Sequence, residues 1–123
     1  MTPAASIQSV LVVDDEVGMR ETLAEILRNV GYDVATASNG DDALLQLSRE
    51  DFDVVLMDIR MPGRDGISVL QQIGGPPPPV VMMTAYAVEE QLRAAVEAQS
   101  FALVHKPVPV PYLIDLVARA AAA

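Results

Sequence analysis

The chain has 123 residues, 51% of them hydrophobic and 20% charged, a balance that suits one domain with its own core and excludes a disordered segment. Seventeen acidic residues against eight basic give a formal net charge of -9, which argues against DNA, RNA or an anionic membrane held by general attraction and favours cations or basic partner surfaces. There is no cysteine, so disulfides and thiolate metal sites are excluded, and no apolar run approaches the ~20 residues of a membrane span.

The opening stretch, MTPAASIQS, has neither the basic nor the apolar region of a signal peptide, so a cytoplasmic protein is expected. The first apolar run, VLVVD (Val10 to Asp14), is nearly continuous, as in a strand covered on both faces. A helix follows, with Met19, Leu23, Ile26, Leu27 and Val30 at three- and four-residue steps and Gly31 as its stop. Asp33 to Ala37 (DVATA) forms a second strand. The second helix is capped by Asn39 or Asp41 and packs with Ala43, Leu44 and Leu47. The third strand is VVLMD (Val54 to Asp58), followed by a short helix from about Gly66 to Ile73.

GGPPPP (Gly74 to Pro79) reads as a stiff connection, in preference to a proline-rich docking motif. It leads into the fourth strand, VVMMT (Val80 to Thr84). The fourth helix, Val88 to about Ala98, should bury Leu92, Ala95 and Val96. The fifth strand is FALVHK (Phe101 to Lys106). A last helix, about Pro109 to Ala122, packs with Leu113, Ile114, Leu116 and Val117, with Pro109 and Pro111 in the first turn where amide hydrogens lack partners anyway. The alanine-rich end is read as either the end of that helix or the start of a truncated linker. Strict βα alternation implies right-handed crossovers and a doubly wound parallel α/β sheet with helices on both faces.

In such sheets, sites form outside the carboxyl ends of the strands. Those ends carry Asp14, Asp15 and Glu16, then Asp58, Thr84 and Lys106. In a strand order 2-1-3-4-5 they converge on one crevice. Grouped carboxylates repel, and a divalent cation relieves the repulsion; an oxygen-only ligand set completed by water suits Mg²⁺. A strand-end carboxylate aimed at a metal can serve as a nucleophile for phosphoryl transfer, with Lys106 and Thr84 on the phosphoryl oxygens.

Four stretches, VVDDE, DVVLMDIRMPGRDG, VVMMTAY and the Lys106-Pro107 pair, occur in order at strand ends. Together they resemble the receiver domain of two-component response regulators, chemotaxis-regulator-like, over roughly residues 6 to 119 of a single domain. The resemblance implies a flavodoxin-like five-stranded sheet of order 2-1-3-4-5. It implies Asp58 as phosphoacceptor, and Mg²⁺ held by Asp15, by Asp14 mainly through water, by Asp58 and by the backbone carbonyl of Arg60. Thr84 and Lys106 would hold the phosphoryl oxygens, and Lys106-Pro107 would be cis. The implied partners are a histidine kinase or phosphotransfer protein, with a homodimer among the allowed assemblies and no direct nucleic-acid or membrane binding. No catalysis is implied beyond the domain's own phosphoryl transfer and slow self-dephosphorylation.

Other readings of the same residues are weaker. An FMN carrier of this fold needs a small-residue phosphate loop where this chain has DDEVG. An aspartyl phosphatase needs a second Asp two residues after the first, and Arg60 stands there. A degenerate receiver used only for binding would not need all five site positions. Asp15 or Glu16 could cap the first helix. His105, the single histidine, suits a surface or hydrogen-bonded role; Met82, Met83 and Phe101 suit the core. Four positions depart from the receiver pattern: Leu103 for the usual aromatic, Gln99 and Ser100 for Gly-Ala, and Pro109 for a polar cap. The signal is therefore expected to leave through the face of the fourth helix, fifth strand and fifth helix, carried by Tyr86 and its loop rather than by Leu103. Arg60 and Tyr86 are bulky enough to shield the acyl phosphate from water.

Overall fold

The computed structural model describes residues 7–61, 63, 65–85 and 90–123. The elements alternate as expected: β1 (Ser9–Val13), α1 (Val17–Val30), β2 (Asp33–Ala37), α2 (Gly40–Arg49), β3 (Val54–Asp58), α3 (Gly66–Gln72), β4 (Val80–Thr84), α4 (Glu90–Gln99), β5 (Ala102–His105) and α5 (Val110–Ala121). The strands pair in parallel in the order β2-β1-β3-β4-β5.

Side chains alternate across a strand, so each buried strand feeds two cores. Val10 and Val12 of β1, Val54 and Leu56 of β3, Val81 and Met83 of β4 and Val104 of β5 pack with α1 and α5. Their neighbours Leu11, Val13, Val55, Met57, Val80 and Met82 pack with α2, α3 and α4. All five residues of both β3 and β4 are buried, which is why these strands read as unbroken apolar runs.

Local signals set several boundaries. Gly31 ends α1 at φ 115°, and its amide donates to Arg28 O. Asn39, rather than Asp41, caps α2 by accepting from the Asp42 amide at 2.8 Å. Asp65 caps α3 in the same way through the Ser68 amide. At the end of α4, Ser100 replaces the usual glycine by donating both its amide and its hydroxyl to Val96 O, at 2.9 and 2.6 Å.

Three expectations need correction. Of Leu92, Ala95 and Val96, only Val96 is buried, because α4 rests on the sheet edge through a narrow contact. Phe101 precedes β5 and is 39% exposed rather than part of the core. Neither Asp15 nor Glu16 caps α1 by its side chain; Glu16 occupies the cap position, and its amide donates to Asp14 Oδ1. Tyr86, Ala87 and the expected start of the fourth helix at Val88 lie outside the described residues.

An alanine at position 31 would have to adopt the positive φ that glycine takes freely. Gly31→Ala is expected to lower unfolding free energy by about 1–2 kcal/mol, read as a reduced urea midpoint at unchanged m-value.

Candidate functional site

Parity along the strands assembles the site. Asp14 continues the face of Val10 and Val12, Asp58 that of Val54 and Leu56, and Lys106 that of Val104. The three side chains therefore leave the carboxyl edge of the sheet on the α1/α5 side. Lys106 Nζ donates to Asp58 Oδ2 at 2.7 Å and to Asp14 Oδ2 at 2.9 Å. Asp14 is fully buried and Asp58 nearly so. A buried carboxylate without a partner is costly, and the ammonium partners two at once.

The other carboxylate oxygens are also placed. Asp14 Oδ1 accepts from the Glu16 amide at 3.0 Å, and Asp58 Oδ1 accepts from the Arg60 amide at 3.1 Å. Each aspartate thus turns the chain after its strand and leaves one oxygen for the lysine. Arg60 lines the cleft with its chain held close to Asp58. Carboxylate oxygens of Asp14, Asp15 and Asp58 lie within 4.8 Å of one another, with Asp15 exposed at the rim. Three hard oxygen donors converging from two strand ends fit a small divalent cation such as Mg²⁺.

Thr84 is buried at the end of β4, and its main-chain oxygen accepts from the Lys106 amide at 2.7 Å. That bond ties the β4 and β5 ends together. The Lys106-Pro107 peptide is cis, as the resemblance implied. An open cleft of about 1000 Å³ lies over the acidic group, lined by Asp14, Asp15, Asp58, Lys106, Met61 and Leu92 among others.

Two contributors were not singled out from sequence. A Cβ on Gly66 would stand 2.4 Å from Asp58 O and 3.1 Å from Ile59 Cα, so only glycine lets α3 start against the phosphoacceptor candidate's own backbone. Its amide donates to Ile59 O at 2.8 Å, closing the loop between β3 and α3. The Asp65-Gly66 pair carries the signal, a cap residue followed by a residue with no side chain. The second is Arg20, whose Nη1 donates to Asp14 O at 2.9 Å. No motif marks it.

Burial by itself would lower the Lys106 pKa, but the hydrogen bonds to Asp58 and Asp14, with their negative charges, outweigh it and raise it above 10.5. A raised folded-state value means the pair's stabilisation is complete below pH 10.5 and is lost as pH climbs through the folded value. Lys106→Met should destabilise the chelator-treated protein by about 3 kcal/mol, because it strands buried carboxylates. The wild-type advantage over that variant should hold up to about pH 10.5 and shrink above it; urea titrations across pH 7–11.5 check both.

Comparison with known proteins gives a consistent family. The sequence model of the response regulator receiver domain matches residues 10–118. A response regulator receiver protein of Anaeromyxobacter sp. (strain Fw109-5) is 38% identical over 108 residues, covering 86% of this chain and 45% of that protein. The transcriptional regulatory protein ZraR of Salmonella typhimurium is 38% identical over 115 residues, but this chain spans only 26% of it. Sporulation initiation phosphotransferase F of Bacillus subtilis is 32% identical, with 91% of this chain and 92% of that protein aligned. Among solved structures, a CheY-like receiver domain from Methanospirillum hungatei superposes with a TM-score of 0.88 at 27% identity, covering 95% of each chain.

Proposed function

The chain belongs to the response regulator receiver family of two-component phosphorelay signalling, and on that premise we propose that Asp58 is its phosphoacceptor. The observation that carries this reading is the nearly buried Asp58 carboxylate at the end of β3, hydrogen-bonded to Lys106 and clustered with Asp14 and Asp15. The donor is a phosphohistidine of a histidine kinase or phosphotransfer protein. An Asp58 oxygen forms the new O–P bond as the N–P bond breaks, and the imidazole leaves with the electron pair and takes up a proton.

The roles of the neighbours are those that the family resemblance implies. Asp15, Asp58 and the Arg60 carbonyl would hold Mg²⁺, with Asp14 mainly through water, and the ion would offset the charge gathered between carboxylates and phosphoryl oxygens. Lys106, already on Asp58, turns to a phosphoryl oxygen as that oxygen gains charge. Thr84 supplies a hydroxyl to another. The domain catalyses only its own phosphorylation and slow loss of the phosphoryl group. The whole chain serves as one receiver domain, held in the cytoplasm. Among the described residues no helix is long and apolar enough to cross a membrane, and the net charge of -9 disfavours direct nucleic-acid binding.

The signal leaves through α4, β5 and α5. Thr84 leads through Ala85 towards α4, and Leu103 is half-buried against the core shared with α2, α3 and α4. A homodimer through the same face is compatible with the exposed Leu92, Phe101 and Tyr112.

Incubation with acetyl phosphate and MgCl₂, read by intact mass, is expected to add one phosphoryl group to the wild type and none to Asp58→Asn. A phosphoryl group retained by folded Asp58→Asn sinks the assignment. In a separate measurement, Mg²⁺ at ten times its Kd should stabilise the wild type by about 1.4 kcal/mol. Asp15→Ala should abolish that thermal shift; an unchanged shift removes Asp15 from the metal site.

A further inference from the structure

We propose that Arg20 is a positioning residue for the Mg²⁺ site, acting through the Asp14-Asp15 peptide and not through its charge. The inference rests on the metal-binding reading above.

Every polar group of Asp14 is already engaged. Its amide donates to Ala37 O at 3.1 Å, Oδ1 accepts from the Glu16 amide and Oδ2 from Lys106. Its main-chain oxygen accepts from Arg20 Nη1 at 2.9 Å. Asp15 is the opposite case. Its exposed carboxylate makes no hydrogen bond or ion pair among the described residues, yet it stands within 4.8 Å of the other two carboxylates. Nothing aims it except its own backbone. The peptide joining Asp14 to Asp15 is planar, so fixing its oxygen fixes the direction of the Asp15 N–Cα bond. Arg20 holds that oxygen.

Arg20 is suited to the task. It lies in the first turn of α1, where its own amide donates to Glu16 O at 2.9 Å, so its anchor and the loop it clamps share one rigid piece. The guanidinium is planar and permanently charged, and it keeps a hydrogen bond to a carbonyl without titrating. It spends a donor on the main chain, which is the arrangement that shapes a loop without occupying the metal's ligands.

Charge and positioning predict opposite signs. Removing a cation beside an acidic site should tighten Mg²⁺ binding if charge alone matters. Removing a clamp that orients a ligand should weaken it, by about tenfold for supports of this kind. The test is titration of chelator-treated protein with MgCl₂, followed by amide shifts in ¹H–¹⁵N spectra, which needs no phosphorylation. Arg20→Met is expected to raise the Mg²⁺ Kd about tenfold, with the Asp15 amide displaced before any metal is added. Arg20→Lys, which keeps the charge but replaces the rigid planar fork by an ammonium on a flexible stem, should fall between wild type and Arg20→Met. Equal or tighter binding by Arg20→Met with native-like spectra overturns the proposal. If Arg20→Met does not fold, Arg20→Lys decides alone: weaker binding supports the clamp, and wild-type or tighter binding overturns it. A wild type that binds no Mg²⁺ overturns the metal-binding reading itself and the proposal with it.

Discussion

The ammonium of Lys106 between Asp14 and Asp58 is the contact on which the site's geometry depends. It joins residues far apart in sequence across β1, β3 and the edge strand β5. Without a cation there, two buried carboxylates would face each other across the sheet edge, and the cost of desolvating them would fall on the fold. With it, the charge is met inside the chain, and one oxygen of each aspartate is still free to shape its own loop.

A tension follows between resting state and loaded state. Lys106 occupies oxygens of the same carboxylates that offer themselves to a divalent cation. On the proposed reading, a bound cation would compete with the ammonium for these carboxylates, and an incoming phosphoryl group would give the ammonium somewhere to go. The lysine is an internal counter-ion here, and on the proposed reading it would then become a ligand for the phosphoryl group. The surrounding structure allows this because the rest of the loop architecture, from Arg20 to Gly66, is held by main-chain contacts that do not involve the lysine.

What was legible in the sequence was what burial on both sides of a parallel sheet enforces. The runs VVLMD and VVMMT coincide with β3 and β4 to the residue, because no exposed face interrupts their apolar character. Asp14, Asp58 and Lys106 were legible because a charge ending such a run has few structural reasons to be there. The edges were less legible. In α4 the apolar spacing of Leu92, Ala95 and Val96 overstated the contact, since a helix over an edge strand buries little more than one residue. Phe101 failed for a related reason: it stands just outside a four-residue edge strand, where neither core reaches it. Arg20 was hidden because its role is played on a main-chain atom, and hydropathy and charge patterns do not register which carbonyl a side chain will reach; Gly66 was marked only by the Asp65-Gly66 pair, since a close backbone approach leaves no trace in an apolar pattern.

The pleat of β5 gives the lysine one more consequence. Strand β5 is short, lies at the edge, and shares hydrogen bonds with β4 alone. Such a strand is the one most open to mispairing, and only Val104 is buried to specify its alignment. A slip by one residue would turn Lys106 to the opposite side of the sheet and offer His105 or Pro107 to the two aspartates in its place. Neither could bridge two carboxylates as an ammonium does. The acidic pair thus inspects the alignment of the edge strand: a misthreaded chain leaves two carboxylates buried without a counter-ion, and the correctly threaded one does not.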